Sequence, residues 1–344
     1  MNENQINEQS YQKEIDLRDL IMVLCKRKVI IISLTLIFAI FAGLFSKFVL
    51  EPIYDTKLNI IISMPETYVT IFGEYKLPIT TNEQYINLIK SNDVIVNTIK
   101  DMGYATNKKS VEDIKEDISI GNVNTNANII QNSFHVTVSA KTPDESLKLA
   151  ETLYENYIEF LNVMTKERAI SYYYNEFKVK IETAENLLKT KEAELSKNEV
   201  LLKETPQTIN QVDAMKEINA GTSNYVVLEN IINPNYTKIE EIIILNKQDI
   251  NNSKILISDY TGYIEELKAE KEALNKYYES GDVGNIKDSV FDIVDVSIYL
   301  PSNPVAPTKK TSPSNVRSTI IGGILGGMFG VMIAFFKAYW KKEI

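Results

Sequence analysis

Hydrophobic positions along this chain follow three patterns. Two runs are apolar on every side: Val29 to Ser46 and Ser318 to Phe336 each pass without a charge. About 20 apolar residues cross a bilayer core of roughly 30 Å. The spacing therefore predicts membrane-spanning helices over 29–50, with Lys47 snorkelling, and over 318–336. A signal peptide is the weaker reading of the first run, since 28 residues precede it and no small-x-small pattern follows. A second pattern, β-prone or alternating with period two, marks strands at Tyr54–Ile62, Phe134–Ala140 and Phe291–Tyr299. Between the first two, one helix is expected from about Asn82 to Met102, ended by Gly103, and a shorter one over Val111–Asp117.

The third pattern has steps of three and four. Thr142-Pro143-Asp144-Glu145 supplies an N-cap, a proline at the first helical position and an acid two residues later. Leu147, Ala150, Tyr154, Tyr157, Leu161 and Met164 then recur on one face. The register continues through Ile170, Phe177, Ala184 and Leu195, predicting a helix about 90 Å long if unbroken to Leu202. Pro206 and Gly221 mark a broken stretch. A second long helix is expected from Pro234 to about Tyr278, with Ile239, Ile243, Ile250, Ile257 and Leu267 on one face. Two such helices read as an antiparallel coiled-coil hairpin. A generic coiled-coil spacer fits the same periodicity.

The predicted fold is thus an α+β membrane protein, with two spans flanking an extracytoplasmic α+β base that carries a long helical hairpin. Its divisions are a cytoplasmic N-terminus (1–28), the first span (29–50), a membrane-proximal domain (51–141 with 285–300) and the hairpin (142–284). A proline-rich linker (301–317), the second span (318–336) and a cytoplasmic tail (337–344) follow. Lys13, Arg18 and Lys26-Arg27-Lys28 precede the first span, and only Lys47 and Lys57 follow it closely. By the positive-inside rule both termini are cytoplasmic.

Charge and composition narrow the function. The chain has 344 residues and a net charge of -9, its acidic excess lying between the spans. That argues against a nucleic-acid partner. A lone Cys25 and a lone His135 exclude disulfides within the chain and multi-cysteine or paired-histidine metal sites. No Gly-Lys pair and no G-x-S-x-G occur, so a Walker A loop and the usual hydrolase elbow are missing. Glu240-Glu241 and Glu265-Glu266 read as solvated helix faces. No enzyme, cofactor or catalytic residue is expected.

The second span is laced with Gly322, Gly323, Gly326, Gly327 and Gly330, which form three overlapping G-x-x-x-G pairs. Such spacing lets another helix approach the backbone. Ahead of it Pro301, Pro304, Pro307, Ser312 and Pro313 lie in a segment short of backbone donors, suited to extended structure.

Taken together, Ile15-Asp16-Leu17-Arg18-Asp19-Leu20 before the first span, Pro52-Ile53-Tyr54 after it, and Asn233-Pro234-Asn235-Tyr236 at the second long helix resemble a known family. So do Ser312-Pro313 and the glycine-laced ending Gly326-Gly327-Met328-Phe329-Gly330. This plan is similar to the chain-length determinant (Wzz) proteins, co-polymerases of bacterial O-antigen, capsule and exopolysaccharide assembly. The family often carries a basic residue directly after the Ser-Pro; here Ser314 stands there, with Lys309, Lys310 and Arg317 nearby. The resemblance implies a non-catalytic regulator of glycan chain length in the cytoplasmic (inner) membrane. It further implies a homo-oligomeric ring beside a separate polymerase, with glycan or lipid-linked glycan as a further partner. The same topology also suits an adaptor that activates a separate cytoplasmic tyrosine kinase in polysaccharide export, although the tail after the second span is short. A plain structural tether is the third reading.

Overall fold

A computed structural model describes residues 17–105, 109–121, 130–210, 212, 230–286, 291 and 293–340. Lys13, Ile15, Asp16, Gly221 and residues 341–344 of the sequence reading lie outside them. Helices α1 (Leu17–Lys26) and α2 (Lys28–Phe48) open the chain, followed by β1 (Tyr54–Ile62), β2 (Thr67–Thr70) and β3 (Gly73–Lys76). Next come α3 (Asn82–Asn87), α4 (Asn92–Asp101), α5 (Val111–Asp117), β4 (Ile118–Ile120) and β5 (Ser133–Ala140). The long helix α6 (Pro143–Glu204) leads through β6 (Thr208–Asn210) and β7 (Asn230–Ile232) to α7 (Pro234–Ser280). The one-turn helix α8 (Val294–Ser297), β8 (Ile298–Tyr299) and α9 (Asn315–Trp340) complete it.

The chain forms two compact units. The first gathers residues up to Ile62, Thr81–Tyr157 and those from Tyr299 on. Its sheet has the order β4-β5-β1-β8, with β5 antiparallel to both β1 and β4. Alternation does what the sequence pattern asks: Leu58, Ile60 and Ile62 of β1 and Phe134, Val136 and Val138 of β5 are all but fully buried. Opposite faces go to water, and His135 lies exposed there across from Asn59. Ile86, Ile89, Ile95, Ile114 and Leu153 complete the core, and the buried Tyr157 hydroxyl donates to the Tyr85 carbonyl at 2.9 Å. Thr142 caps α6, accepting from the Glu145 amide at 3.2 Å.

Two helical expectations change here. The helix expected from Asn82 to Met102 is two helices with a single 3-10 turn between them, because Ser91 is extended and starts α4 afresh. Gly103, at φ +67, ends that helix in the left-handed region. The N-terminal residues ahead of the first span also hold α1, which the sequence reading left unassigned.

The second unit gathers Ser63–Thr80 and Ile158–Ile298. Here α6, at 62 residues, and α7, at 47, run antiparallel. Cross-helix ion pairs track the register: Lys166–Glu270 at 2.7 Å, Lys191–Asp249 at 3.4 Å and Lys247–Glu199 at 3.3 Å. Buried positions on α7 step by four and three through Ile239, Ile243, Asn246, Ile250 and Ser253, the seam of a heptad repeat. Gly281, at φ +69, closes α7, its amide donating to the Tyr277 carbonyl at 2.7 Å. The β2–β3 hairpin, missing from the sequence reading, drives Phe72 into an aromatic cluster. Its ring centroid lies 5.4 Å from that of Tyr173, 5.9 Å from Phe177, 5.6 Å from Tyr263 and 5.9 Å from Phe291. The strand expected over Phe291–Tyr299 is reduced to β8. Phe291, Ile293, Val294, Ser297 and Ile298 are buried; from Val294 on the spacing is helical rather than alternating, and α8 takes four of the nine positions.

Candidate functional site

The two apolar helices meet in the first unit. At 21 and 26 residues, α2 and α9 are long and apolar enough to cross a membrane. They pack antiparallel, with successive i+4 positions of α9 facing α2 from its C-terminal to its N-terminal end. Gly322, Gly326, Gly330, Ala334 and Ala338 are buried as one stripe. A Cβ placed on Gly326 would lie 2.7 Å from the Phe38 Cβ and 2.8 Å from the Leu34 carbonyl oxygen. One on Gly330 would come within 2.9 Å of the Ile31 Cα, and one on Gly322 would strike Ala42 and the Phe38 carbonyl. Each of the three positions meets backbone atoms of α2 among its contacts, so a side chain there forces the helices apart. Gly323 and Gly327 sit at the flank: a Cβ there meets Ala39 at 3.7 Å or the Thr35 hydroxyl at 3.4 Å, ordinary or slightly tight contact. The contact is reciprocal, since Gly43 of α2 faces the Thr319 hydroxyl. Phe38 and Phe329 stack beside the stripe with centroids 5.7 Å apart. The continuation of the stripe through Ala334 and Ala338 was readable from the same i+4 spacing; the sequence reading stopped at glycine.

Beyond the helices the same two chain segments are tied again. Ile53 donates its amide to the Ser312 carbonyl at 2.8 Å, and its own carbonyl accepts from the Thr311 amide at 2.8 Å. The structure thus brings Pro52 and Tyr54 beside Ser312 and Pro313, whose peptide bond is cis. Tyr54 then starts β1 opposite Ala140. Asn315, the first residue of α9, accepts from Lys310 Nζ at 3.0 Å and from the buried Ser46 hydroxyl at 3.4 Å. Ser314 caps α9: its hydroxyl accepts from the Arg317 amide at 3.4 Å, and its carbonyl from the Ser318 amide at 3.0 Å. Serine suits a helix N-cap well, which accounts for its place directly after Ser312-Pro313. Pro301, Pro304 and Pro307 lie in an irregular stretch and join no part of this clamp.

Asn233, Pro234 and Tyr236 belong to the second unit and serve a local purpose. The buried Asn233 side chain accepts from the Asn235 amide at 3.0 Å and donates to the Pro206 carbonyl at 2.7 Å. Its backbone amide donates to the Gln207 carbonyl at 2.9 Å, and Pro234 takes the first turn of α7, where its missing donor costs nothing. One asparagine therefore joins the end of α6 to the start of α7.

No curated protein matches the chain in sequence. Among solved structures, a full-length bacterial polysaccharide co-polymerase is similar at a TM-score of 0.43 and 14% identity, covering 95% of this chain and 99% of that one. A point mutant of the Shigella flexneri lipopolysaccharide O-antigen chain-length regulator WzzB gives 0.27 and 10%, over 75% of this chain and 99% of that one. A fragment of the Salmonella Typhimurium polysaccharide co-polymerase WzzB gives 0.18 and 12%, over 76% and 100%. At these scores the likeness is loose. The match in sequence is more specific, and it spans the first apolar helix, the Pro52-Ile53-Tyr54 clamp and the helices that follow: residues 13–102 match the family Wzz, chain length determinant protein.

Proposed function

We propose that this chain is a non-catalytic regulator of surface-polysaccharide chain length, working as a homo-oligomer in the cytoplasmic membrane beside a separate polymerase. One observation carries the reading: the Wzz match over residues 13–102 includes Ile53, whose backbone bonds to Ser312. The N-terminal and C-terminal parts of the motif set thus meet in one place. Both termini are cytoplasmic and residues 51–317 extracytoplasmic, as the basic residues ahead of α2 favour. The buried stripe Gly322, Gly326 and Gly330 holds the two spans together within a subunit, which leaves their outer faces to lipid or to neighbouring subunits. The test is genetic: delete the gene and resolve the surface polysaccharide on a gel. The expected result is loss of the modal length, restored by the gene on a plasmid. An unchanged distribution would overturn the proposal.

A further inference from the structure

Two cavities lie side by side on α6 within the second unit. One, of about 360 Å³, has a buried apolar floor of Ile170, Leu267 and Leu274 and a rim that includes Tyr174, Tyr278 and Lys271. The other, of about 610 Å³, is lined by Tyr75, Tyr172, Lys76 and Arg168. Both share Glu167, Ser171 and Asn175, which recur every four residues and form one stripe on α6. The cavities therefore adjoin along about 12 Å of α6 at 1.5 Å per residue, one on either flank of that stripe, and together make the candidate groove.

The lining has a definite chemistry. Tyr174 and Tyr278, on the rim of the first cavity, stand 40% and 56% exposed, and Tyr172, on the wall of the second, 47%. Exposed rings of this kind offer an apolar face with a polar tip. The lining also holds Asn175 and Asn275, whose amides both donate and accept. Ring faces together with amides suit a polymer of pyranose rings, which shows an apolar C–H face and a rim of hydroxyls. A lipid tail would leave the amides unsatisfied. Both volumes lie within the usual range for a ligand site.

Charge refines the choice. On a protein of net charge -9, the groove carries Lys76, Arg168, Lys268 and Lys271 against one acid, Glu167. Glu167 accepts from the Tyr278 hydroxyl at 3.3 Å and Lys268 is paired with Glu265 at 2.7 Å. Among the described residues, Lys271 and Arg168 make no ion pair, so each cavity keeps an unpaired cation.

We propose that this groove binds a short run of an acidic glycan, with sugar rings on Tyr172, Tyr174 and Tyr278 and the anionic groups at Lys271 and Arg168. The choice of glycan as the polymer rests on the chain-length reading; the groove itself does not.

The experiment uses the full chain in detergent micelles. Oligogalacturonate, maltohexaose and oligosaccharides released by mild acid from the producing strain's surface glycan are titrated and followed by saturation-transfer NMR. We expect the acidic oligomers to bind at least tenfold more tightly than maltohexaose, and the preference to fade with salt. Paired Tyr174→Ala and Tyr278→Ala should weaken binding at least tenfold, and Lys271→Gln should remove most of the preference for acid. Both tyrosines are well exposed, so the thermal melt should hold; Tyr278→Phe, which keeps the ring, should bind like the parent. Absence of binding by the acidic oligomers, or binding indifferent to these variants, overturns the proposal. So does a change in oligomer size on native gels with binding intact, which would mark the groove as a seat for a second copy. A deletion strain with normal glycan lengths overturns the chain-length reading instead, and leaves these titrations to be judged on their own.

Discussion

Two antiparallel helix pairs in this chain solve opposite problems. The α2–α9 pair is held by its smallest residues: Gly322, Gly326 and Gly330 lie against backbone atoms of α2. The α6–α7 pair is held by some of its largest, with Phe177, Tyr173 and Leu267 no more than 1% exposed and ion pairs crossing the seam. On the proposed membrane reading, the difference follows from the solvent. In water, burying apolar volume is the driving force, so bulky side chains at heptad positions stabilise the pair. In lipid the surroundings are as apolar as the side chains, and only close contact between backbones is left to gain. Volume stabilises one pair and destroys the other.

The largest expected effect comes from removing volume where it matters. Phe177→Ala should destabilise the second unit by about 3–5 kcal/mol, as for other buried aromatics. Hydrogen exchange on the full chain should show lost protection in α6 and α7 and none in α9. Loss in both would mean the two pairs are not separately stabilised.

Adding volume to the other pair is the converse. Gly326→Leu should cost the α2–α9 pair about 3 kcal/mol, the upper end for overpacking, because the Leu34 carbonyl cannot move aside as a side chain tip would. Cross-linking of Thr35→Cys with Gly327→Cys reads the effect, and should fall more than tenfold in the Gly326→Leu background. Gly323→Ala, placed 3.7 Å from the Ala39 Cβ, should leave the yield near parental. Equal losses would place the two glycines on the same footing and dissolve the distinction.

Polar residues within the water-facing seam provide a finer test. Asn246 is 2% exposed, and among the described residues its amide nitrogen finds no hydrogen-bond partner. Asn246→Leu should therefore stabilise the hairpin by about 1–2 kcal/mol. A buried asparagine at such a position also fixes register, so the variant should show a second cross-linking register between α6 and α7. A less stable variant would show that the amide is satisfied in solution.

The smallest effect is electrostatic. Lys191 is held charged by its bonds to Glu194 and, across the seam, to Asp249, which raises its pKa. A raised lysine contributes stability in full below the free-lysine value of about 10.4 and loses it as pH rises through the folded value. The hairpin's melting temperature should drop slightly above about pH 10.5, and Lys191→Met should flatten that limb. Cross-linking of the α2–α9 pair in the same samples should not respond.

Long periodic segments were legible in the sequence. The apolar runs, the alternation in Phe134–Ala140 and the Thr142-Pro143 start each state their structure locally. Shorter elements were not. Thr67–Thr70 and Gly73–Lys76 form strands of 4 residues each, whose stability comes from Phe72 reaching residues about a hundred positions later. Val294–Ser297 has strand-like composition, yet its burial follows helical spacing. Of the candidate site, the glycine spacing was readable because helix geometry fixes which positions align. The Ile53–Ser312 bridge was not, since nothing in either tripeptide names its partner.

That bridge has a consequence for how such a chain can change over time. Ser46 and Asn315 are 269 residues apart in sequence, yet they touch, and Ile53 and Ser312 are bonded just beyond them. Everything between is an insertion whose two ends are already fastened. The entropy of closing a loop grows only with the logarithm of its length, so doubling the insertion costs about 0.6 kcal/mol. Lineages can therefore lengthen or trim the long helices by whole heptads without disturbing the α2–α9 pair, and helix length becomes a property that selection can tune almost independently of that packing.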